Sequence, residues 1–571
     1  MKYPDVWGEG VIFAFSGIEG KTDWSHPFIA TTGPDFGQFI FVFDEKTQFG
    51  FKNLNRDKKI RASIVSSDIF LTENPATAMI FVEKDKIIGR YSSDFAPYLG
   101  NPPQSRYANE PVISLENGNV ALSILPDKKI FSCVFDLKSK ESAIRKARKI
   151  LSEVSVEKGI KKKLDFFRTL DYPEFNSEIE EKTYLKAISI MKVNCESKQG
   201  KIKCLWTTPD RWPHKHMWFW DSAFHTFGNK FISYQIAENT LLAVLGCQRN
   251  DGFISITMNP EKGRVYEHLT QPPLFAWAAL NLFRETRNYE FLNTVYNGIC
   301  KYIRWLYTNR DRDGDGLLEW IVDDNPQSKC GECGMDNSPR FDDISSDELL
   351  AAIDLNCFAI NEMNCLSQIA KILKKMEESL VWKNIAEEKK KLVDKFLWDD
   401  KDNFYYDRKQ NGQFVRVKTP ASLLPLLAEI PNIDKARKMH NTLIDKNIFW
   451  TDFPFPSVAK NEKTFCKDMW RGGTWLNYNF LIYKGLMKYG FKKTATGLLL
   501  KTKNAVEKWY GEKGSIFEFY DPDNKIPPRD LPRKDWLGTR GWTRTITDYQ
   551  WSAAIYVAIL HELKKDKHGS E

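Results

Sequence analysis

The sequence predicts a mainly α-helical protein in which a small β-rich domain precedes a large domain of helix pairs. Residues 1–165 contain short apolar runs with strand-like alternation, whereas residues 175–571 contain long segments with helical spacing. The 571 residues also exceed one ordinary domain of roughly 100–200 residues. Residues 166–174, which include Pro173, are predicted to link the two domains.

The N-terminal domain is predicted to be a β-sandwich. Phe39, Phe41 and Phe43 lie at alternate positions, which is the spacing of a strand with one buried face. Further short apolar runs follow, separated by turn residues: Ile60–Thr72, Thr77–Arg90 and Val120–Phe135. A charged, Lys-rich helical stretch over Glu141–Phe167 then leads to the second domain.

The second domain is predicted to contain about ten to twelve helices. The segments with helical spacing are Ile179–Val193, Ser233–Cys247, Leu274–Arg284, Phe291–Tyr307, Ser346–Met376, Leu380–Leu397, Ile433–Leu443, Thr474–Tyr489, Thr494–Lys508 and Tyr549–Lys564. Because the sequence has no fixed-period repeat, a closed toroid of helix pairs is favoured over an open superhelix. The connecting loops are rich in Trp, Pro, Gly and Asp, and long loops on a helical scaffold commonly carry functional residues.

Composition and charge exclude several classes of protein. A hydrophobic fraction of 42% and a charged fraction of 28% are those of a globular chain, and no apolar run reaches the roughly 18 residues of a membrane span. The net charge of +8, from 83 basic and 75 acidic residues, includes no basic block of the kind that binds nucleic acid. We therefore expect neither nucleic acid nor a membrane as a partner.

A cytoplasmic location is expected. The N-terminal residues MKYPDVWGEG lack the apolar segment of a secretory signal. The ten cysteines are scattered without the regular spacing of a disulfide scaffold, which suits a reducing compartment. Cys330 and Cys333 form a single CxxC pair without a second pair, which is a weak signal for zinc or redox chemistry.

Tryptophan is concentrated in the second domain, since only Trp7 and Trp24 of the 18 tryptophans precede residue 175. Aromatic faces stack on the C–H face of a sugar while carboxylates bond its hydroxyl groups. A sugar site is therefore one interpretation, and bulky core filling is the other. The tryptophans in or beside candidate site loops are Trp206, Trp212, Trp218, Trp220, Trp470, Trp475, Trp542 and Trp551.

Two loops early in the second domain combine aromatic and polar side chains. In residues 206–225, four tryptophans accompany Asp221, which precedes a helix. Capping of that helix is the alternative role of Asp221. In residues 270–273, the side-chain amide of Gln271 offers both a hydrogen-bond donor and an acceptor.

Two later loops hold the remaining candidate carboxylates. Asp336 lies among small, turn-forming residues, so that simple turn chemistry is its alternative role. Glu518 follows the Trp-rich loop 470–475 and lies between aromatic residues. Its alternative role is a buried ion pair with an arginine such as Arg544.

The loop that begins at Asp311 is predicted to bind calcium. Asp311, Asp313 and Asp315 alternate, the carbonyl of Leu317 follows, and Glu319 adds a further carboxylate. Calcium prefers six to eight hard oxygen ligands from a curling loop of this kind. The spacing differs from that of an EF-hand, and a solvated acidic turn is the alternative.

These segments together resemble the glycoside hydrolases of family 63, which include processing α-glucosidases, bacterial α-glucosidases and mannosylglycerate hydrolases. The likeness spans residues 205–551 and implies an (α/α)6 barrel for the second domain. One departure is Cys333, where relatives often have serine. The ordered motifs that carry the likeness are Trp218-Phe-Trp-Asp221, Asp251-Gly-Phe253, Gln271-Pro-Pro273, Gly334-Met-Asp-Asn-Ser-Pro-Arg340, Trp470-Arg-Gly-Gly-Thr-Trp475 and Phe517-Glu-Phe-Tyr-Asp-Pro522.

The resemblance implies that Asp336 is the general acid and Glu518 the general base of an inverting α-glycosidase. It also implies that six side chains line the sugar subsite: Trp218, Asp221, Gln271, Asn337, Trp470 and Trp475. Some relatives bind calcium through an Asp-rich loop with the spacing of residues 311–319. No cofactor is expected for the chemistry, and the only predicted ion is this structural calcium.

The expected reaction is hydrolysis of a small α-glucoside or α-mannoside, such as a disaccharide, an oligosaccharide or a glycosylglycerate. Inversion requires a protonated Asp336 and an ionised Glu518, separated by roughly 6.5–9.5 Å to admit water. One alternative is a glycoside phosphorylase on the same barrel, which needs cationic groups for phosphate instead of a base. Another is a non-catalytic carbohydrate-binding protein. The sequence predicts no oligomeric state.

Overall fold

A computed structural model of the chain describes residues 1–32, 38–41, 48–53, 62–73, 77–100, 112–535 and 544–568. Three residues named in the sequence analysis, Phe43, Ile60 and Trp542, lie outside these ranges. Within them, the N-terminal part is rich in strands and the rest is mainly helical. Among the described helices, none combines the length and low polarity required to cross a bilayer.

The N-terminal part contains two antiparallel sheets in the described residues. One has the order β1-β2-β3-β4-β9 and the other β10-β11-β12-β8-β7-β6-β5. Phenylalanine side chains from both sheets share a single apolar core. The strands are β1 Ile12–Phe13, β2 Ala30–Thr32, β3 Gln38–Phe41, β4 Gln48–Asn53, β5 Ala62–Val65, β6 Ile69–Thr72, β7 Ala78–Glu83, β8 Lys86–Arg90, β9 Phe95–Gly100, β10 Val112–Leu115, β11 Gly118–Leu125 and β12 Ile130–Asp136.

The second sheet separates two apolar layers because its strands alternate. In β12, Phe131 and Phe135 enter the core between the sheets, whereas Val134 faces two helices, α1 (Lys140–Glu153) and α2 (Val156–Arg168). The Lys-rich stretch predicted as one helical passage is therefore two helices. Ser155 breaks it and caps α2 by accepting a hydrogen bond from the backbone N–H of Lys158.

Twelve further helices follow in the described residues. Prediction and structure agree at 433–443. The helix predicted from residue 346 begins instead at 353, because residues 350–351 pair as a strand with residues 408–409. A helix was predicted to follow Asp221, and α4 begins two residues before it, at Phe219; the short α10 was not predicted. The helices are α3 Glu178–Val193, α4 Phe219–Asn229, α5 Tyr234–Leu245, α6 Phe275–Thr286, α7 Tyr289–Arg310, α8 Ile353–Ile372, α9 Met376–Phe396, α10 Pro425–Ala428, α11 Ile433–Leu443, α12 Leu476–Lys488, α13 Lys492–Lys513 and α14 Gln550–His568.

Six of these helices contact one another in a closed order. The helices α4, α6, α8, α10, α12 and α14 contact in that sequence, and α14 contacts α4. Helices α5, α7, α9 and α13 each lie against the ring helix that precedes them, and α3 lies against α14. Short strands in the loops complete the domain: β13 Cys195–Glu196, β14 Trp206–Thr207, β15 Met217–Trp218, β16 Thr257–Asn259, β17 Gly263–Arg264, β18 Leu350–Ala351, β19 Trp398–Asp399, β20 Phe404–Tyr405, β21 Asp407–Lys409 and β22 Phe414–Val415.

The two parts meet at the buried carboxylate of Asp548. One of its oxygens accepts hydrogen bonds from the backbone N–H of Ile12, at 3.0 Å, and from the hydroxyl of Ser67, at 3.3 Å. The ammonium group of Lys186 lies 3.0 Å from the other oxygen. Burial lowers the pKa of Lys186, and the charge of Asp548 opposes that shift. Asp548 thus joins the N-terminal sheets to the segment that leads into α14.

Candidate active site

A pocket lies where the chain enters four of the ring helices. Trp218 is the N-cap of α4, Gln271 precedes α6, Trp475 is the N-cap of α12 and Tyr549 precedes α14. The pocket is narrow: its cavity volume is about 60 Å³, below the ~300–1,000 Å³ typical of small-molecule sites. Its lining residues are His214, Trp218, Trp220, Asp221, Gln271, Gly334, Asp336, Met469, Trp470, Trp475, Glu518, Arg533, Tyr549 and Trp551.

Five tryptophans form much of the pocket wall. Trp470 and Trp475 stack face to face with 3.7 Å between ring centroids, and Trp220 meets Trp551 edge to face at 5.4 Å. The indole N–H groups of Trp218 and Trp551 are buried and have no hydrogen-bond partner among the described residues. Since a buried donor without a partner is costly, these two groups are suited to bond a ligand hydroxyl.

Asp221 lies in the first turn of α4, and its carboxyl group is buried in the pocket wall. The N-cap position belongs to Trp218, so that Asp221 is not the capping residue. Burial raises the pKa of Asp221 well above its ordinary value, and the nearby carboxylates of Asp210, Glu518 and Asp336 add to the shift. The protonated carboxyl that this environment favours can both donate and accept a hydrogen bond.

Asp336 reaches the pocket from a loop between two short 3-10 turns, and its side chain is 28% exposed. Gly334 brings this loop close to Trp220: its φ is +73°, and a Cβ there would lie 2.4 Å from the indole ring. The ammonium group of Lys534 lies 2.8 Å from one carboxylate oxygen of Asp336. Asp336 therefore has a cationic partner and also lines the pocket.

Glu518 is held from two sides and is 2% exposed. Its backbone N–H donates to the carbonyl of Ile546 at 2.9 Å, and the N–H of Ile546 donates to Oε2 at 3.3 Å. Arg533 adds a two-point ion pair, with its Nε at 3.0 Å from Oε2 and its Nη2 at 3.1 Å from Oε1. The predicted alternative partner Arg544 instead pairs with Asp535 at 2.8 Å. Glu518 therefore has an arginine partner and also faces the pocket.

The six predicted subsite residues divide into five that line the pocket and one that does not. Gln271 lies in the lining, and its Oε1 accepts a hydrogen bond from the backbone N–H of Trp220 at 3.3 Å. Asn337 is buried behind Trp470, whose backbone N–H donates to its Oδ1 at 3.0 Å. Its amide nitrogen donates to the carbonyl of Asp468 at 3.3 Å. Asn337 thus ties the Asp336 loop to the Trp470 loop.

No role was predicted for four of the lining residues, namely His214, Met469, Arg533 and Tyr549, whereas Trp220 and Trp551 were among the tryptophans predicted in or beside the site loops. His214, Trp220 and Trp551 lie in or beside the motifs, so that their position along the chain was an available signal. Arg533 lies 15 residues beyond Glu518, in a segment without a motif. Only its contact with Glu518 in the folded chain identifies it.

The acidic loop after α7 brings four carboxylates together. One oxygen from each of Asp311, Asp313, Asp315 and Glu319 lies within 4.8 Å of the others. Glu319 is the buried member: burial, together with the charges of Asp313 and Asp311, raises its pKa to about 7 against its contacts with Arg312. Burial and the same two neighbours also raise the pKa of Asp315. Leu317, whose carbonyl was predicted as a ligand, is buried within the loop.

Comparison with known proteins finds a family match and several relatives. The model of the mannosylglycerate hydrolase MGH1-like glycoside hydrolase domain matches residues 214–552. Mannosylglycerate hydrolase MGH1 of Selaginella moellendorffii is 24% identical over 414 residues, which cover 58% of this chain and 80% of that protein. An uncharacterised protein of Borreliella burgdorferi is 29% identical over 300 residues, 52% of this chain. The chain spans only 59% of the length of that relative.

Two solved structures share the fold. A GH63 mannosylglycerate hydrolase from Thermus thermophilus, in complex with glucose, aligns with a TM-score of 0.53 at 23% identity and covers 66% of this chain and 99% of its own. A bacterial glucoamylase complexed with acarbose aligns with a TM-score of 0.62 at 12% identity. That alignment covers 99% of this chain and 96% of the glucoamylase, so that the likeness includes the N-terminal sheets as well as the helical part.

Proposed function

The chain belongs to the mannosylglycerate hydrolase MGH1-like family of glycoside hydrolases, and on that basis we propose that it hydrolyses a small α-glucoside or α-mannoside with inversion of configuration. The observation that carries the proposal is the pair Asp336 and Glu518. These carboxylates come from loops far apart in the sequence and line one small, aromatic pocket.

In the proposed reaction, Asp336 protonates the glycosidic oxygen while Glu518 removes a proton from the attacking water. The two-point ion pair with Arg533 fixes the plane of the Glu518 carboxylate. The tryptophan walls exclude bulk water and stack on the pyranose ring, and the unpartnered indole N–H groups supply donors for its hydroxyls. Asp221 and Gln271 complete the hydrogen-bonding set.

The substrate to test first is a glycoside whose leaving group carries a carboxylate. Relatives of this chain are named mannosylglycerate hydrolases, and Lys534 supplies a partly exposed cation beside the proposed acid. A substrate carboxylate could pair with the ammonium group of Lys534 in place of Asp336. Neutral α-glucosides and α-mannosides belong in the same panel, because another relative is named mannosyl-oligosaccharide glucosidase.

The test is a hydrolysis panel of mannosylglycerate, glucosylglycerate and α-linked disaccharides with the wild type, Asp336→Asn and Glu518→Gln. Each variant is expected to lose at least about 100-fold in kcat, since general acid–base catalysis contributes roughly 10²–10⁴-fold. Asp343→Asn and Glu512→Gln are matched controls at exposed carboxylates near each position and should keep full activity. Near-wild-type rates for either pocket variant, or an initial product of retained configuration by NMR, would refute the proposed roles.

The phosphorylase alternative makes a different prediction. A phosphate nucleophile needs a free cationic site, whereas Glu518 already occupies the guanidinium group of Arg533 from two sides. This occupation supports water as the nucleophile. Cleavage that depends on inorganic phosphate would favour the phosphorylase instead.

We also propose that residues 311–319 bind a structural calcium. The donor set fits the ion: four carboxylates converge, and burial and mutual repulsion raise the pKa of two of them, a strain that a divalent cation relieves. The calcium would brace the end of α7. From there Arg310 forms an ion pair with Glu332, which lies four residues before Asp336.

The remaining proposals concern architecture and location. We propose that the closed ring of helices and its partners form an (α/α)6 barrel over residues 175–571, with residues 1–165 as the first domain. Two observations support this division: the ring helices contact one another in a closed sequence, and the chain shares its fold with the glucoamylase. A cytoplasmic location is supported by the ten cysteines, all of which are free thiols.

A further inference from the structure

A chain of polar contacts leads from the buried Asp210 to the proposed base. The two carboxylate oxygens of Asp210 accept hydrogen bonds from the backbone N–H of His214, at 3.1 Å, and from its ring Nδ1, at 2.8 Å. The other ring nitrogen, Nε2, lies 3.3 Å from Nη2 of Arg533. The same Nη2 donates to Glu518 at 3.1 Å. The four side chains are thus connected in series.

The donor and acceptor chemistry allows one arrangement of the imidazole hydrogens. An ionised Asp210 only accepts, so Nδ1 of His214 must carry hydrogen. Arg533 only donates, so Nε2 of His214 must be the acceptor. The tautomer with hydrogen on Nδ1 and a lone pair on Nε2 satisfies both contacts of the ring. A second hydrogen on Nε2 would place two donors, and two positive charges, 3.3 Å apart.

We infer that Asp210 and His214 are positioning residues for the proposed base and act through Arg533. The acceptor at Nε2 fixes the rotation of the guanidinium group, and that rotation keeps both contacts on Glu518. The orientation of the Glu518 carboxylate decides which lone pair faces the attacking water. This inference rests on the proposed function for its catalytic meaning, while the contacts stand independently of it.

His214 also lines the pocket, and a direct contact with the sugar is the competing role. The two roles differ in kinetics. Loss of a sugar contact raises KM, whereas loss of orientation of the base lowers kcat and leaves KM near its original value. The chain offers a matched control in His216, a partly buried imidazole that faces Trp24 of the N-terminal domain and is outside the pocket lining.

The experiment compares His214→Phe, Asp210→Asn and Arg533→Gln with His216→Phe, after melting temperatures have confirmed that each variant is folded. His214→Phe is expected to lower kcat about 10–100-fold, the scale of a misplaced catalytic group, with KM changed less than about threefold. Asp210→Asn should lower kcat in the same way. The amide oxygen can accept only one of the two hydrogen bonds from His214, and the amide NH2 group favours the His214 tautomer that has no hydrogen on Nδ1. His216→Phe should have the kcat and KM of the wild type.

A double variant tests the series connection. If His214 acts only through Arg533, the combination of His214→Phe with Arg533→Gln should be no slower than Arg533→Gln alone, within about twofold. The inference would be overturned if the double variant lost kcat by the product of the two single losses. A rise in KM at constant kcat in His214→Phe would also overturn it. Wild-type kcat in Asp210→Asn would also overturn it.

A crystal structure of His214→Phe separates this inference from the proposed function. At least one of the two contacts between Arg533 and Glu518 is expected to open beyond hydrogen-bonding distance. Retention of both, at 3.0 and 3.1 Å, would refute the positioning role whatever the activity. If the wild type hydrolyses no glycoside of the panel, the proposed function fails, and this structure still decides whether His214 positions Arg533.

Discussion

The affinity of the loop 311–319 for calcium is predicted to rise with pH, because its most buried carboxyl group holds a proton unusually tightly. Burial, with a contribution from neighbouring carboxylates, raises the pKa of Glu319 to about 7. A carboxyl group must lose its proton before it can bind the ion. Calcium binding and proton release are therefore coupled at this side chain.

The size of the effect follows from the titration curve. With a pKa of about 7, Glu319 is ionised in about one tenth of molecules at pH 6 and in about nine tenths at pH 8. The apparent association constant for calcium should therefore rise about tenfold between these values, equivalent to about 1.4 kcal/mol. The raised pKa of Asp315 acts in the same direction.

The calcium-free protein should show the opposite trend in stability. Glu319 has an ordinary pKa of 4.5 in the unfolded chain and about 7 in the folded one. As pH rises through this window the unfolded chain loses its proton first, so that unfolding becomes easier by up to about 3 kcal/mol above pH 7. Calcium should restore this stability, since it binds the folded loop.

Calorimetric titration with calcium at pH 6 and pH 8, in two buffers of different ionisation enthalpy, measures both affinity and proton release. Glu319→Gln should bind more weakly and with little dependence on pH, whereas Glu153→Gln, at an exposed position of α1, should behave as the wild type. Equal affinity of the wild type at both pH values would refute the coupling. No binding at pH 8 with about 1 mM calcium would refute the metal site itself.

Three further predictions concern the pocket. Asp221→Asn should raise the melting temperature at pH 8 and not at pH 4, because the raised pKa of Asp221 makes the folded state lose stability as pH rises. Equal shifts in melting temperature at the two pH values would contradict this. Lys534→Met should raise KM about 10–100-fold for a glycoside with an anionic leaving group and less than threefold for a neutral one, as measured by initial rates; equal changes would show that Lys534 does not contact the leaving group. Gly334→Ala should lower the free energy of unfolding by about 1–3 kcal/mol more than Gly490→Ala, since both have positive φ but only the first directs its Cβ into Trp220; equal urea midpoints would refute the clash.

Periodicity predicted the fold best where one face of an element is apolar and the other polar. Residues 433–443 form the predicted helix because the buried Ala436, Met439 and Leu443 recur at helical spacing and polar side chains occupy the positions between them. The helix predicted after Asp221 was placed without bounds, because all residues of α4 are buried and no polar face marks its period. The resemblance to family 63 is confirmed by the family match, whereas the roles of individual residues remain predictions.

The candidate site was predictable where its residues lie in motifs and not where distant segments meet. Trp218, Asp221 and Gln271 lie in the pocket lining, because each lies at or shortly before the start of a ring helix. Arg533 and Lys534, the cations on the two proposed catalytic carboxylates, belong to no motif. Their partners are set by tertiary contacts, on which a single sequence carries no local signal.

The buried contact at Asp548 limits how this protein can exchange parts with its relatives. A chimera that takes its first 165 residues from another protein must still present a backbone N–H and a hydroxyl to that carboxylate, as Ile12 and Ser67 do here. Without them, an ionised group in the interior would lose two of its partners, and the segment before α14 would lose its anchor. Both parts of the chain are therefore expected to be inherited, expressed and engineered together.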